Sequence, residues 1–159
     1  MGDACQHSHR ETAQRPDRVA RLLAEAEAKV EAAGQRLTDG RRRVLELLLA
    51  VGEPMKAYDL IAQFGVDGRP AKPPTVYRSL DFLEREGLVH RIASISAYVA
   101  CAGHEGSHAA AFLICDCCGT TQEIPAGVAE PLQQAAREAG YALERTTLEA
   151  HGRCPDCRD

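Results

Sequence analysis

Two Cys-x-x-Cys pairs carry the strongest chemical signal in this 159-residue sequence. Cys115 and Cys118 form the first pair, followed directly by Gly119, and Cys154 and Cys157 form the second pair beside the C-terminus. Four thiolates in two such pairs match the tetrahedral ligand set of a closed structural zinc site. A disulfide framework is the alternative, but no signal peptide opens the sequence, and cysteines without export signals are typical of a reducing cytosol. The sequence therefore predicts one structural Zn²⁺ held by these four cysteines.

The segment between the two pairs, residues 119–153, is far longer than the loop of a small zinc finger. Its hydrophobic spacing and its Pro and Gly breaks predict a strand, an amphipathic helix and a return strand. These elements are expected at Thr120–Ile124, Val128–Ala139 and Tyr141–Ala150. The return strand would bring Cys154 to Cys118. The small sheet would keep an open edge, which pairing across a two-fold axis would cover.

The first half of the chain has apolar residues at helical spacing, separated by Gly and Pro breaks. The pattern predicts helices that begin near Arg18, Arg41, Ala57 and Pro73. Two short strands are expected next, over Leu88–Ile95 and Ala97–Cys101. Short helices followed by a β-hairpin are typical of a winged helix-turn-helix domain, whose recognition helix enters the major groove of DNA.

The last of these predicted helices has one apolar and one polar face. Val76, Leu80 and Leu83 form the apolar stripe, so Tyr77 and Arg78 are expected to point outward. On charge pattern alone, a solvated surface arginine is the simpler interpretation of Arg78, and base recognition is the alternative.

The composition fits a chain with real hydrophobic cores and a small net charge. Hydrophobic residues make up 45% of the sequence, and the formal net charge is −4. Residues 1–91 carry 15 basic and 14 acidic side chains, whereas residues 92–159 carry 4 basic and 9 acidic ones. The overall acidity argues against indiscriminate nucleic-acid binding, yet it leaves room for a basic face in the first half. No apolar stretch has the length of a membrane span, so we expect a cytoplasmic protein without a membrane partner.

One stretch of the chain carries a family resemblance. Residues 71–80 read Ala-Lys-Pro-Pro-Thr-Val-Tyr-Arg-Ser-Leu, and residues 87–90 read Gly-Leu-Val-His. Together with the two cysteine pairs, they resemble the ferric uptake regulator superfamily and, within it, the zinc uptake regulators. The similarity runs from about Arg18 to Cys157.

The resemblance implies a dimeric, DNA-binding metal sensor rather than an enzyme. The implied fold is of the α+β class, with an N-terminal winged helix-turn-helix domain and a small C-terminal α/β dimerisation domain that holds the four-cysteine zinc site. The corresponding boundaries are a flexible leader at residues 1–17, a winged-helix domain at residues 18–101 and a dimerisation and metal-binding domain at residues 102–159.

The resemblance also implies roles for individual residues. The four cysteines correspond to the structural zinc ligands of the superfamily. A second, regulatory Zn²⁺ is expected at His90, Cys101, His108 and Glu123. The expected DNA-binding residues are Arg78, Tyr58, Tyr77, Lys72 and Arg41, with Arg78 reading a base and Arg41 as a candidate phosphate contact.

Donor chemistry supports the regulatory site independently of the resemblance. One thiolate, two imidazoles and one carboxylate form a borderline-soft tetrahedral set, which suits zinc better than manganese or magnesium. The four residues come from both halves of the chain, so one ion bound by all of them would fix the angle between the two domains. The alternative interpretations are a surface residue for His90, a small buried hydrophobe for Cys101 and a solvated carboxylate for Glu123.

The chain departs from the superfamily pattern in three places. The usual Leu-Thr-Pro-x-Arg is Leu-Thr-Asp-Gly-Arg at residues 37–41, so the proline ahead of Arg41 is lost. The stretch from Cys101 to His108 is short, which leaves His104 as a rival ligand to His108. The histidine-rich run that precedes the first cysteine pair in iron sensors is missing, which favours zinc over iron.

The predicted function is a zinc-responsive transcriptional regulator, which represses zinc-uptake genes with zinc as corepressor. A homodimer would bind a palindromic double-stranded DNA operator. Alternatives are a superfamily sensor of another metal or of peroxide, and a zinc-trafficking or adaptor protein that does not bind DNA. A zinc hydrolase or deaminase is disfavoured, because it would need an open coordination position and, for a deaminase, a His-x-Glu ahead of the cysteines. The sequence leaves open the operator sequence, the number of bound dimers, activation at individual promoters and the roles of Cys5, His7, His9 and Cys117.

Overall fold

The computed structural model describes residues 16–65, 72–101 and 109–158, which form an α+β chain. These residues belong to two compact units, an N-terminal unit of residues 16–101 and a C-terminal unit of residues 109–158. Within these ranges, no helix combines the length and the apolar character that a membrane crossing demands. Five residues singled out in the sequence lie outside the described ranges, namely Cys5, His7, His9, His104 and His108.

Four helices and a three-stranded antiparallel sheet build the described part of the N-terminal unit. The helices are α1 (Pro16–Ala32), α2 (Asp39–Val51), α3 (Ala57–Phe64) and α4 (Pro73–Arg85). The strands are β1 (Met55–Lys56), β2 (Val89–Ile92) and β3 (Ala97–Ala100), in the order β1-β3-β2. This succession of helices and hairpin is the winged helix-turn-helix that the sequence predicts.

The core of the N-terminal unit consists of the apolar stripes that the helical spacing predicts. Its fully buried members on α2 and α4 include Val44, Leu48, Val76, Leu80 and Leu83. A fully buried Val or Leu contributes about 1.5–3 kcal/mol relative to an exposed one. This packing therefore fixes which face of α4 is turned toward solvent. Phe82 is also buried, although it lies outside the predicted stripe.

Helix α4 begins and ends with residues that suit those positions. Pro73 and Pro74 occupy its first turn, where a missing amide proton costs nothing. At the other end Gly87 has a φ of 66°, the left-handed conformation that glycine adopts without strain. The Leu88 amide donates to the Leu83 carbonyl at 2.8 Å, and the Gly87 amide donates to the Glu84 carbonyl at 3.0 Å. These two bonds form a Schellman motif, which ends the helix and leads the chain into β2.

Some predicted boundaries are wrong by a few residues. Helix α2 starts at Asp39 rather than Arg41, with Thr38 at the N-cap but without a side-chain capping bond. The first strand of the hairpin ends at Ile92 rather than Ile95, because a turn follows in which Ser96 has a φ of 51°. Strand β1 is not predicted from the sequence, since two residues are too few for a periodic signal.

The C-terminal unit has a mixed three-stranded sheet and one helix in its described part. Its elements are β4 (Ala109–Cys115), β5 (Thr121–Ile124), a 3₁₀ turn (Ala126–Ala129), α5 (Glu130–Glu138) and β6 (Thr146–Gly152). The sheet order is β5-β4-β6, with β5 antiparallel and β6 parallel to β4. The return strand thus exists, but it starts at Thr146 rather than Tyr141 and extends to Gly152.

The C-terminal unit buries its central strand but leaves several apolar side chains exposed to solvent. Six of the seven residues of the central strand β4 are buried, Leu113 being the exception. In contrast, α5 has no buried residue, and Leu132 on its predicted apolar face is 44% exposed. Exposed apolar side chains of this unit also include Val128, Tyr141 and Leu143. A set of exposed apolar side chains of this kind marks an interaction surface on many proteins.

Candidate metal centre and DNA-facing surface

The four predicted zinc ligands converge at one end of the C-terminal sheet. Cys115 is the last residue of β4, and the parallel register pairs it with Gly152 at the end of β6. The second cysteine pair therefore follows β6 directly beside the first. All four sulfur atoms lie within 4.8 Å of one another, and the Sγ atoms of Cys118 and Cys154 are 3.7 Å apart. Sulfurs around a tetrahedral zinc at 2.3 Å are about 3.8 Å apart, so the cluster has the size of a zinc site.

Backbone turns aim these sulfurs at a common point. The Gly119 amide donates to the Cys115 carbonyl at 2.9 Å, and Gly119 has a φ of 76°, which favours glycine directly after the first pair. The Cys157 amide donates to the Cys154 carbonyl at 2.9 Å, which closes the second turn. The Cys154 amide also donates to the Cys115 Sγ at 3.3 Å, so the two turns contact each other directly.

A histidine–aspartate contact, not predicted from the sequence, joins the first cysteine turn to the end of β6. His151 Nδ1 lies 2.8 Å from the Asp116 Oδ1 atom. The Asp116 amide donates to the Gly152 carbonyl at 2.8 Å. Only the position of His151 three residues before Cys154 could have signalled this contact. Cys117, in the same turn as Asp116, is exposed and is not part of the four-sulfur cluster.

The four thiols differ in acidity. Hydrogen bonds from the backbone of Cys118 and then of Cys154 lower the pKa of Cys115 to about 6. A hydrogen bond with the Thr120 side chain lowers the pKa of Cys118. Burial raises the pKa of Cys154, and burial raises that of Cys157 to about 12. Because metal binding requires thiolates, an ion bound here must displace protons from Cys154 and Cys157, whose pKa values are raised.

The predicted regulatory ligands occupy three described positions. His90 is 9% exposed on β2 and pairs with Val99 of β3. Cys101 is half-buried just after β3, and its amide donates to the Leu88 carbonyl at 2.9 Å. This pairing places His90 and Cys101 on the same sheet face as diagonal neighbours, about 7–8 Å apart. Glu123 is exposed on β5 of the C-terminal unit, opposite Phe112.

Within the described ranges, the four cysteines are the only group of three or more side chains that could hold a metal. The regulatory set therefore stays a prediction, as does the choice between His104 and His108.

Four of the five predicted DNA-binding residues point to solvent on the N-terminal unit. Arg78 and Tyr77 lie on the exposed face of α4, with Tyr77 at 45% exposure. Lys72 is exposed directly before the first turn of α4. Tyr58 is 79% exposed on α3. These positions present aromatic and cationic groups that are suited to a nucleic-acid surface.

Arg41 differs from the other four. It is half-buried in the first turn of α2, and its guanidinium carbon lies 3.5 Å from the centre of the Phe82 ring. Its Nη1 atom donates a 2.7 Å hydrogen bond to the Arg36 carbonyl.

Comparison with known proteins shows which family has this arrangement. The model of the ferric uptake regulator family matches residues 32–151. The chain belongs to this family. Over 138 residues it is 41% identical to the zinc uptake regulation protein of Escherichia coli strain K12, covering 86% of this chain and 81% of that protein.

Two solved structures of family members are also similar. A zinc uptake regulator complexed with zinc and DNA is 39% identical, with a TM-score of 0.75 and coverage of 86% of this chain and 93% of that one. The crystal structure of holo XcZur is 37% identical, with a TM-score of 0.69 and coverage of 85% and 95%. The predicted family, the α+β class and the combination of a winged helix with a C-terminal unit are thereby confirmed.

Proposed function

We propose that this member of the ferric uptake regulator family is a zinc-responsive transcriptional regulator, which represses zinc-uptake genes with zinc as corepressor. The observation that carries the proposal is the similarity to a regulator solved with zinc and DNA, at 39% identity over 86% of this chain. The exposed face of α4 with Arg78 and Tyr77 supports DNA binding. Since the partner is operator DNA, the protein acts in the cytoplasm.

The four cysteines hold one structural Zn²⁺ in this proposal. Their four sulfurs complete a tetrahedral set without an open position, which is the mark of a structural rather than a catalytic site. A metal-bound water or hydroxide would have no place there. We infer no enzymatic activity, because the relatives of this chain are uptake regulators and this site offers no open metal position.

A second, labile Zn²⁺ binds His90, Cys101, Glu123 and one of His108 and His104. The placement of His90 and Cys101 on one sheet face supports this assignment, because two of the four donors then converge. The donors come from a winged-helix domain at residues 18–101 and a dimerisation domain at residues 102–159, with residues 1–17 as a leader. Zinc bound by all four restricts the spacings that the recognition helices sample.

The regulator acts as a homodimer on a palindromic double-stranded operator. The exposed apolar side chains of α5 and its neighbours support a dimer interface in the C-terminal unit. A two-fold dimer presents two copies of α4, and a palindrome presents two matching half-sites one or more helical turns apart.

Zinc-dependent DNA binding tests this function. The full chain, loaded with structural zinc, is titrated with free Zn²⁺ in a gel-shift assay with an operator fragment found by genomic footprinting. Operator affinity should rise steeply with zinc, whereas Fe²⁺, Mn²⁺, Ni²⁺ and peroxide should have little effect. A response to one of these instead supports a different sensor of the family. Equal affinity with and without zinc contradicts the switch, and failure to footprint any site favours a trafficking or adaptor protein.

Replacing Arg78 with alanine should relax the sequence preference at one base position in each half-site. Loss of a good bidentate contact with a guanine costs about 1–3 kcal/mol. The measurement is the affinity for the operator and for each single-base variant of it. Lys72→Ala is the matched control, since removal of a phosphate contact should weaken binding to all sequences equally and reduce the salt slope by about one. Uniform weakening by Arg78→Ala would show that Arg78 contacts the backbone.

A further inference from the structure

The guanidinium of Arg41 joins the start of α2 to α4. Its carbon atom lies 3.5 Å from the centre of the Phe82 ring, well inside the distance of about 6 Å that defines a cation–π contact. Phe82 is 2% exposed, so the contact is largely shielded from water. Arg85, on the same helix as Phe82, lies 5.6 Å from the same ring centre and is exposed. The short, half-buried contact with Arg41 is therefore the stronger of the two.

A hydrogen bond fixes the other side of Arg41. Its Nη1 atom donates to the Arg36 carbonyl at 2.7 Å, in the loop that connects α1 to α2. This loop leads into Thr38 and Asp39 at the start of α2, where no side-chain capping bond is formed. The Arg41 side chain thus connects the loop, the first turn of α2 and the core side of α4.

Phe82 lies on the buried side of the helix that carries Arg78 and Tyr77. A change in the packing of Phe82 shifts α4 as a rigid element, because the helix backbone connects these residues within about one and a half turns. The orientation of the Arg78 side chain in a DNA groove therefore depends on how Phe82 packs.

We propose that Arg41 is a positioning residue for α4, acting through Phe82, rather than a phosphate contact. The inference rests on the proposed function only for its effect on operator binding. The stack covers one face of the guanidinium, and the Arg36 carbonyl occupies one of its donors. One face of the guanidinium and one of its five donors are thereby engaged within the N-terminal unit.

Thermal unfolding tests the stack without DNA. Arg41→Met in the zinc-loaded full chain should lower the melting temperature, followed by circular dichroism, by about 4–8 °C. Arg43→Met is the matched control, since Arg43 is exposed on the same helix and forms a surface ion pair with Glu46 three residues on. Phe82→Leu and the Arg41→Met/Phe82→Leu double variant complete a double-mutant cycle. If the two residues act together, the double variant loses less than the sum of the single losses.

Operator binding then separates positioning from phosphate contact. At a temperature where the variant is folded, Arg41→Met should lower the ratio of operator to non-specific affinity at least about fivefold, the lower end of one lost base contact. The dependence of log affinity on log salt should keep its slope. A lost phosphate contact would instead reduce the slope by about 0.9 and leave the ratio unchanged. Arg41→Lys, which keeps the charge but lacks the planar group, should not restore the ratio.

Thermal unfolding and operator binding can each contradict the proposal independently of the other. Additive melting losses, or an Arg41→Met loss no larger than that of Arg43→Met, overturn the stack as an energetic unit even if zinc-dependent DNA binding is intact. A reduced salt slope that Arg41→Lys restores overturns the positioning role. If no DNA binding is found at all, the proposed function fails, and the unfolding cycle still reports on the stack.

Discussion

Replacing Cys157 with serine is expected to remove the structural zinc and to unfold the C-terminal unit. The Cys157 side chain is 8% exposed, and its sulfur belongs to the four-sulfur cluster. Structural zinc contributes about 10–16 kcal/mol in zinc-finger peptides, whereas a typical domain has a total stability of about 5–15 kcal/mol. A serine hydroxyl remains protonated at neutral pH and is a poor replacement for a thiolate. The variant should therefore contain one zinc fewer per chain than the wild type.

The construction of the C-terminal unit explains this dependence. Helix α5 and strand β5 have no buried residue, so their contribution to a hydrophobic core within the chain is small. The described residues after Gly152 form no helix or strand. Turn hydrogen bonds and the second cysteine pair hold this last segment. The metal ion would be bound by all four sulfurs. Without it, this last segment loses its link to the end of β4.

Elemental analysis and thermal unfolding measure the effect, and Cys117→Ser is the control for zinc content. Cys117 lies in the first cysteine turn, but it is not part of the four-sulfur cluster. Its replacement should preserve the zinc content. A Cys157→Ser variant with wild-type zinc content and melting temperature would exclude the four-cysteine site. Loss of zinc from both variants would assign the effect to disturbance of the turns rather than to a lost ligand.

Much of the fold could be predicted because the signals are local. The apolar stripe of α4 repeats with the helical period, and Val76, Leu80 and Leu83 are all fully buried as expected. The spacing of the two cysteine pairs predicts a zinc site, and the structure brings the four sulfurs together. The two pairs meet, however, only because β4 and β6 pair in parallel. The pattern of short strands suggests this pairing but does not determine its register.

The contacts that the sequence did not disclose join residues far apart in the chain. Arg41 and Phe82 lie on different helices, and no periodicity within either helix indicates that they touch. His151, on β6, and Asp116, directly after β4, meet only because these two strands pair. The exposed stripe of α5 is a similar case: the spacing shows an apolar face, but not whether the same chain or another molecule covers it. Sequence periodicity identifies faces, whereas tertiary packing decides their partners.

Replacing Cys101 with serine should abolish the zinc response of operator binding while the structural zinc remains. Cys101 is the better test position than His90, because it is half-buried after the end of β3 and serine is nearly isosteric with it. His90 is 9% exposed, so its replacement would disturb the packing of β2 as well. Elemental analysis should find one zinc per chain in the variant and two in the wild type.

The expected loss of operator affinity in Cys101→Ser follows from the free energy that a zinc-dependent switch requires. Moving a population from 1:99 to 99:1 requires about a 10⁴-fold difference in affinity, or about 5.5 kcal/mol. Only the zinc-binding energy that distinguishes the two states counts, so operator affinity of Cys101→Ser in excess zinc should fall by about 10²–10⁴-fold, to the value of the zinc-depleted wild type. Non-specific DNA affinity should not change, because the exposed cationic side chains Lys72 and Arg78 are unaltered.

Separate His104→Ala and His108→Ala variants extend this measurement to the ligand that the sequence leaves open. The true ligand is the histidine whose loss reproduces the Cys101→Ser result, and the other variant is its matched control. Normal zinc response in Cys101→Ser with two zincs retained would exclude Cys101 from the regulatory site. Loss of both zincs would show that the two sites are not independent, and that the switch does not rest on a separately labile ion.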